Sequence, residues 1–296
     1  MKPPSFEYHA PATLEEALVL LSEHADEAKV LAGGQSLVPS MNFRLASPSI
    51  LIDLNGIEDL FGIEADHAAG LHIRAMTRQR TVERNALVAR VAPLIAEAMP
   101  YIAHPQVRNR GTFGGSIAHA DPAAELPALM VALDAQMQVR SSKTARTIPA
   151  SEFFLGVFTT ALEPDEILVG VDIPHLPARS GTAFEEVARR HGDYALSGAA
   201  VVVALGEDGA VDHSRLVFFS IGDGPVVSEA ASNVLLGVRP TAEAIREAAE
   251  AVEADIDPST DIHATAAYRR HLCKVLARKT LTRAVERANQ HRANQT

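Results

Sequence analysis

Hydrophobic and polar residues in the first half of the chain alternate between helical and strand periods. A first helix is predicted from Thr13-Leu-Glu-Glu16, which has the spacing of a capping box, to about residue 27, and a strand at residues 30–32 follows. A second apolar segment, residues 50–54, ends in the turn signal Asn55-Gly56. Further elements are predicted at 71–75 (strand), 81–99 (helix), 126–134 (helix), 137–140 (strand) and Ile167–Ile173 (strand). This order is a βα-type alternation.

The second half of the chain begins after residues 174–181, which combine two prolines, a glycine and polar residues and predict a linker and a domain boundary. A long strand is predicted at Ala195–Leu205, a hairpin turn at residues 206–209 and a returning strand at residues 215–221. Residues 241–254 and 263–289 have helical periodicity. The last helix is basic, which is typical of a solvated face and leaves a partner-binding role open. Its basic residues are Arg269, Arg270, Lys274, Arg278, Lys279 and Arg283.

The composition favours a globular chain with two domains, or with one large domain and an appendage. The 296 residues are 47% hydrophobic and 22% charged, and the net charge of -10 argues against a nucleic-acid partner. No apolar run approaches the roughly 18 residues of a membrane span, and the N-terminus lacks the apolar core of a secretory signal, so a cytoplasmic location is expected. The single Cys273 allows no internal disulfide and no thiolate cluster. Redox work would therefore need an organic cofactor or a partner.

Two segments place adjacent glycines after apolar residues: Ala32-Gly-Gly-Gln-Ser36 and Gly111-Thr-Phe-Gly-Gly-Ser116. Adjacent glycines accept positive φ and leave main-chain N–H groups open to an anion, and neighbouring hydroxyls add donors. This chemistry suits a pyrophosphate, whereas each pair taken alone is also typical of a simple tight turn. The segment at Gly33 does not fit G-x-G-x-x-G, and G-x-x-x-x-G-K-[ST] does not occur, so a Rossmann site and a P-loop are disfavoured.

Together with Ala118-His-Ala-Asp-Pro122, the two loops resemble the flavin-binding loops of the medium, FAD-binding subunit of molybdenum hydroxylases. That family includes carbon monoxide dehydrogenase, quinoline and nicotine dehydrogenases and the flavin domain of xanthine oxidase. The likeness extends from Met1-Lys-Pro-Pro-Ser-Phe6 to Arg189-Arg-His-Gly-Asp-Tyr-Ala195. It implies an α+β fold with a two-part FAD-binding domain of the molybdopterin dehydrogenase (PCMH-like) type and a smaller C-terminal domain of antiparallel strands and helices. The expected bounds are 1–176, with subdomains at about 1–55 and 56–176, then 177–290 and a tail at 291–296.

The resemblance also implies noncovalent FAD and a set of contact residues, with no catalytic or metal-ligating residue. Residues 31–37 would wrap the pyrophosphate, the second loop would form the opposite wall, and Asp121 or Glu125 would accept hydrogen bonds from ribityl or ribose hydroxyls. Ile102 and Leu168 would contact rings, and Tyr194 would lie beside the isoalloxazine. The predicted set is Leu31, Ala32, Gly33, Gly34, Gln35, Ser36, Leu37, Ile102, Gly111, Thr112, Gly114, Gly115, Ser116, His119, Asp121, Glu125, Leu168 and Tyr194.

Simpler interpretations stand beside several of these assignments. Asp121 is also placed to cap the following helix, and Ile102 and Leu168 taken alone are ordinary core residues. Arg189 and Arg190, which the resemblance places with Tyr194 as a gate, are also typical of a surface cluster at a strand end. His119 and His104 are expected to be structural or flavin-adjacent rather than metal ligands.

Two positions depart from the family. The carbon monoxide dehydrogenases have His where Gln35 stands, which favours the branch that acts on N-heterocycles or aldehydes. Xanthine oxidase has a lysine near the flavin where a gap-free reading places Glu185, so a positive charge is not expected there.

The implied function is that of the FAD-binding electron-transfer subunit of a heterotrimeric molybdenum hydroxylase. A large molybdopterin subunit would hydroxylate the substrate, [2Fe–2S] clusters of a small subunit would pass electrons to this FAD, and two heterotrimers would form a dimer. One alternative is a self-sufficient flavin oxidase of the same FAD-binding fold, which the absence of Trp and the presence of only four Tyr disfavour. Another is an assembly subunit without flavin, which the intact glycine loops disfavour.

Overall fold

The computed structural model of the chain describes residues 1–66 and 70–293. In this part of the chain, none of the helices is long and apolar enough to cross a membrane. The strands are β1 (Glu7–His9), β2 (Ala28–Leu31), β3 (Ile50–Asp53), β4 (Ile63–Asp66), β5 (Gly70–Arg74), β6 (Gln136–Arg140), β7 (Ala145–Pro149), β8 (Phe154–Gly156), β9 (Thr159–Thr160), β10 (Ile167–Ile173), β11 (Ser180–Ala188), β12 (Ala195–Leu205), β13 (Val211–Phe219) and β14 (Val226–Val227). The α-helices are α1 (Leu14–Glu23), α2 (Leu37–Asn42), α3 (Gln79–Arg84), α4 (Ala86–Val91), α5 (Pro93–Ala98), α6 (Pro105–Arg108), α7 (Phe113–His119), α8 (Glu125–Ala132), α9 (Ala150–Phe153), α10 (Glu229–Leu235), α11 (Ala242–Ala251) and α12 (Ala266–Ala293).

The N-terminal part is a parallel three-stranded sheet of order β1-β3-β2, packed against α1. The predicted cap of α1 forms, because the Thr13 hydroxyl accepts from the Glu16 N–H at 3.2 Å. The Glu16 carboxylate accepts from the N–H of Ala12, at 2.9 Å, rather than from the cap residue itself. The first glycine loop therefore leaves a parallel sheet at the carboxyl end of β2.

The second sheet is antiparallel throughout, with the order β4-β5-β10-β6-β7. The predicted alternation of strands and helices is present, with α1 and α2 between the strands of the parallel sheet and α3 to α8 between β5 and β6. The single helix predicted at residues 81–99 is wrong: the chain forms α3, α4 and α5. The Asn85 side chain accepts from the N–H groups of Leu87 and Val88 and so begins α4, and Pro93 begins α5. Proline cannot donate to the preceding turn, so the helix restarts there.

The third sheet, β11-β12-β13-β14, is antiparallel and buries both of its faces. One face, with Phe184, Val202 and Phe219, shares a hydrophobic cluster with α5 and α8. The other face, with Val201 and Phe218, packs under α10, α11 and α12. All eleven residues of β12 are buried, which explains its uninterrupted apolar sequence. The mixed α+β class and the antiparallel C-terminal sheet are confirmed.

The predicted linker is shorter in the structure, because β11 already begins at Ser180. Small and acidic residues give this strand no clear alternation, so sequence reasoning missed it. The hydrophobic cluster described above takes residues from both sides of residue 177. The domain boundary itself stays a prediction. The predicted tail begins inside α12, and residues 294–296 lie outside the described part.

Five of the six predicted basic residues of α12 form ion pairs with acidic residues of the chain. Lys274 binds Glu250 and Glu253, at 2.9 and 2.6 Å. Arg269 is 7% exposed, and its guanidinium donates to the carbonyls of Leu196 and Ser220 and to Asp261. The prediction of a solvated face is wrong for Arg269, which holds α12 against the ends of β12 and β13. Further pairs join Arg270 to Asp257, Lys279 to Glu185, and Arg283 to Glu97 and Glu185.

Candidate functional site

The first glycine loop connects β2 to α2 and leaves main-chain donors free. Gly34 has φ +70°, a conformation that residues with a side chain rarely adopt. The Gln35 side chain turns back on the loop, and its Nε2 donates to the carbonyl of Gly33 at 3.0 Å. The N–H groups of Gly34, Gln35 and Ser36 donate to no acceptor in residues 1–66 and 70–293. Consecutive main-chain donors without an internal acceptor are typical of loops that bind anions.

The second glycine loop uses its N–H groups internally. Thr112 caps α7 by accepting from the N–H of Gly115, at 3.1 Å, and the N–H of Gly114 donates to the carbonyl of Ala75 at 2.8 Å. A Cβ on Gly114 would lie 2.5 Å from the Cβ of Ala75, so glycine is needed here for close packing of α7 on the antiparallel sheet. The two glycine pairs therefore have different roles. The first lies in a loop whose N–H groups are available as donors, and the second allows α7 to pack closely against Ala75.

The two loops touch each other. A Cβ on Gly33 would lie 2.5 Å from the carbonyl oxygen of Arg110 and 2.7 Å from the Cα of Gly111. A Cβ on Gly115 would lie 3.1 Å from the Cβ of Ala32. Bare backbone is thus required where the loops meet, and free N–H groups lie beside the contact. This arrangement fits the pyrophosphate of FAD, whose contacts to individual residues stay a prediction.

Asp121 lies in a turn between α7 and α8. Its Oδ1 accepts from the N–H of Ala123 at 2.9 Å, whereas α8 begins later, after Ala124. The alternative in which Asp121 caps α8 is therefore wrong. Its carboxylate also lies near Tyr194, whose pKa is raised by partial burial and by the charges of Asp121 and Glu125. Asp121 and Tyr194, predicted separately, are thus brought together.

The segment 189–194 is a turn that rests on the residues after Ile102. Gly192 has φ +77°, and a Cβ there would lie 2.7 Å from Cε1 of His104. Arg189 is engaged by Asp193, at 3.0 Å, and hydrogen-bonds His263. Tyr194 is 65% exposed, so its ring is available to a bound partner or cofactor. The gate formed by the two arginines and Tyr194 stays a prediction.

Ile102 and Leu168 belong to the core cluster that joins the antiparallel sheets. They are 7% and 5% exposed. His119, at the end of α7, packs against the ring of Phe158 in a tilted arrangement with the ring centres 4.9 Å apart, and burial lowers the pKa of the imidazole. The predicted flavin contacts of these three residues are not tested by their packing and stay predictions.

The predicted site residue Glu125, whose contact to FAD stays a prediction, lies near Glu186, which sequence reasoning missed. Glu125, 9% exposed at the start of α8, has its pKa raised to about 7 by burial and by Asp121. Glu186 on β11 has its pKa raised to about 8 by burial and by Glu125, and its Oε2 has no hydrogen-bond partner in the described chain. Its neighbour Glu185 faces α12 instead, where it binds Lys279 and Arg283. Alternation along β11 thus turns Glu186, not Glu185, toward Glu125 at the start of α8.

This carboxyl pair predicts a loss of folding stability as the pH rises from about 5 to 8. The folded chain holds protons that the unfolded chain releases near the ordinary glutamate pKa of 4.5, so raising the pH through this window favours unfolding. Glu186→Gln should reduce the loss in the free energy of unfolding between pH 5 and 8 by an amount on the order of 2 kcal/mol. Urea unfolding measured across this pH range tests the prediction.

The neighbouring change Glu185→Gln provides the control, because it removes a carboxylate that is ion-paired on the opposite face of β11. We expect it to leave the slope of stability against pH unchanged between pH 5 and 8. If the free energy of unfolding of Glu186→Gln falls with pH as steeply as that of the parent over that range, the proton is not held by this pair.

No group of three or more His, Cys, Asp or Glu that could hold a metal ion occurs in the described residues. Cys273 is buried against the Ser197 hydroxyl, and burial raises the pKa of its thiol to about 11. Two surface hollows of about 540 and 360 Å³ lie away from the glycine loops. The first lies between β1 and α1, and the second on the charged side of α12.

Comparison with known families matches both halves of the chain. A family described as "FAD binding domain in molybdopterin dehydrogenase" matches residues 4–176, and one described as "CO dehydrogenase flavoprotein C-terminal domain" matches residues 182–284.

Individual proteins resemble the chain along nearly its full length. The 6-hydroxypseudooxynicotine dehydrogenase complex subunit alpha of Paenarthrobacter nicotinovorans is 41% identical, and the alignment covers 97% of each chain. The caffeine dehydrogenase subunit beta of Pseudomonas sp. (strain CBB1) is 38% identical, also with 97% of each covered. A solved structure of carbon monoxide dehydrogenase from Hydrogenophaga pseudoflava superimposes with a TM-score of 0.93 at 40% identity, covering 97% of this chain and 99% of that one.

Proposed function

The chain belongs to the FAD-binding medium subunits of the molybdenum hydroxylase family, and from this premise we propose that it carries electrons between two partner subunits and a terminal acceptor. It is the flavoprotein component of an oxidoreductase, as the sequence motifs predicted. In the proposed assembly, [2Fe–2S] clusters of a small subunit supply the electrons, and a large molybdopterin subunit hydroxylates the substrate.

One observation carries the proposal: the free N–H groups of Gly34, Gln35 and Ser36 lie beside the backbone contact between Gly33 and Arg110. Bound FAD supplies the ability to exchange electrons singly or in pairs, and the protein supplies binding and orientation. The first loop binds the pyrophosphate by its N–H groups. The turn Thr112–Gly115, closed by the cap of α7, fixes the position of that loop. Asp121 places a carboxylate near Tyr194.

The proposed substrate class is an N-heterocycle or an aldehyde. Two relatives that cover this chain almost completely are named for a nicotine derivative and for caffeine, which are nitrogen heterocycles. Gln35 stands where the resemblance places His in carbon monoxide dehydrogenases, and its amide here shapes the first loop by binding Gly33. Substrate chemistry would take place on the large subunit, and two heterotrimers would associate as a dimer.

We expect FAD to be bound without a covalent link. The chain should purify yellow, and acid precipitation should release FAD into the supernatant, measured by its absorbance and by its fluorescence before and after phosphodiesterase treatment. Colour retained in the pellet would show a covalent flavin. A colourless chain that takes up no added FAD would support the assembly-subunit alternative.

A further inference from the structure

The two glycine loops are joined by a hydrogen-bonded bridge that lies outside both of them. Asn55 follows β3, and its Nδ2 donates to the carbonyl of Ala32 in the first loop at 2.8 Å. Arg78 precedes α3, and its NH1 donates to the carbonyl of Arg110, the residue directly before the second loop, at 2.7 Å. The two side chains also meet, because NH2 of Arg78 donates to Oδ1 of Asn55 at 2.6 Å.

The chemistry of the partners determines the orientation of the Asn55 amide. A guanidinium only donates, so the atom facing Arg78 has to be the amide oxygen. A carbonyl only accepts, so the atom facing Ala32 has to be the NH₂ group. Nδ2 also donates to Asp53, at 2.5 Å, and Asp53 accepts from the Tyr8 hydroxyl at 2.6 Å. The bridge is thus anchored in the parallel sheet.

Further contacts hold Arg78 beside the second loop. Its guanidinium carbon lies 5.5 Å from the centre of the Phe61 ring, and its backbone forms an isolated antiparallel bridge with Thr112. The N–H of Gln79 donates to the carbonyl of Gly111 at 2.9 Å. The carbonyl of Arg110 is the same group that would meet a Cβ on Gly33, so the bridge ends at the point where the loops touch.

We propose that Asn55 and Arg78 are positioning residues for FAD, whose side chains hold the first loop and the second loop at the separation that pyrophosphate binding requires. The proposal rests on FAD binding at these loops. It assigns no contact between either side chain and the cofactor. A loop that presents three free N–H groups binds an anion tightly only if it is already held in place, since otherwise binding has to order it.

Arg78→Gln tests the bridge, and Arg74→Gln is the matched control. Arg74 is four residues away, and its guanidinium also donates to a carbonyl and to a side-chain oxygen, those of Asp59 and Glu64, neither of which belongs to a loop. Both changes remove one positive charge. In fluorescence titrations of the flavin-free chain, Arg78→Gln should weaken FAD binding about tenfold to a hundredfold, and Arg74→Gln less than about threefold.

Amide hydrogen exchange of the flavin-free chain separates positioning from general destabilisation. Arg78→Gln should accelerate exchange together in residues 111–116 and at Val38 and Ser40, whose N–H groups donate to the first-loop carbonyls of Gly34 and Ser36. Asn55→Asp should keep the acceptor for Arg78 but place a carboxylate oxygen against the Ala32 carbonyl, so only Val38 and Ser40 should exchange faster. Because both residues act in one bridge, Asn55→Ala combined with Arg78→Gln should weaken FAD binding no more than the stronger single change.

The parent titration separates this proposal from the function it rests on. If the parent chain binds no FAD, the proposed function is wrong, whatever the variants do. If the parent binds FAD and Arg78→Gln binds it as tightly as Arg74→Gln does, the positioning role is overturned. Faster loop exchange with unchanged FAD affinity would also overturn it, because the bridge would then be structural only.

Discussion

The Gly34→Asp variant should fold like the parent and purify without FAD. Asp is among the few residues that visit φ near +60°, so the backbone of the loop can be kept. A Cβ at this position would lie 3.3 Å from Cδ1 of Leu31 and from Cγ2 of Val38, both of which are ends of side chains that can shift. A carboxylate beside three free N–H groups would occupy the place of the pyrophosphate charge. At an effective dielectric constant of about 20, two like charges 4 Å apart repel by about 4 kcal/mol, which corresponds to roughly a thousandfold loss of affinity.

Gly34→Asn is the matched control, because it has nearly the same shape and tolerates the same φ without the charge. We expect it to weaken FAD binding about tenfold, measured by titration of the flavin-free chain with circular dichroism as the check on folding. Gly115→Asp is a poorer test, since a Cβ there would lie 2.5 Å from the Thr112 hydroxyl and disturb the cap of α7. Full FAD occupancy in Gly34→Asp would remove the first loop from the site.

The sequence predicted the two loops and the antiparallel C-terminal hairpin because both depend on local signals. Adjacent glycines, the run of apolar residues in β12 and the Gly-Glu-Asp-Gly turn after it are all short-range features. The helix breaks at Asn85 and Pro93 also follow from local signals, which the prediction of one uninterrupted helix did not take into account.

The different tasks of the two glycine pairs could not be predicted from sequence. Gly114 is glycine because Ala75, from a distant strand end, lies against it, and no pattern around Gly114 shows that contact. The same holds for Asn55 and Arg78, whose partners Ala32 and Arg110 are 23 and 32 positions away. Asn55 was interpreted only as a turn residue. Its second role depends on where the parallel sheet places it.

Glu186 was missed for a related reason. Alternation along a strand separates two adjacent glutamates onto opposite faces, but the register that decides which of them faces α8 is set by pairing with β12. The gap-free reading chose Glu185, which faces α12. Glu186, rather than Glu185, therefore lies on the α8 side of β11, where burial and the charge of Glu125 raise its pKa to about 8.

The isolated chain should be reduced by dithionite but not by any N-heterocycle or aldehyde that the assembled enzyme oxidises. Its described residues contain no group of three or more His, Cys, Asp or Glu that could hold a metal ion. The thiol of Cys273 is buried, and its pKa is raised to about 11. The two hollows described on its surface do not reach the glycine loops, so neither places an organic substrate beside the predicted flavin. These observations agree with the proposal that the substrate is oxidised on another subunit.

Anaerobic bleaching of the flavin absorbance measures this directly. The FAD-loaded chain mixed with substrate should show no bleaching above the buffer blank, and the addition of the large subunit alone should leave it unchanged. Bleaching should begin only when the small [2Fe–2S] subunit is also present, because electrons then have a path from the molybdenum centre. Rapid bleaching of the lone chain by an organic substrate would instead support the self-sufficient oxidase, and bleaching with the large subunit alone would show that the clusters are not the route by which electrons reach this FAD.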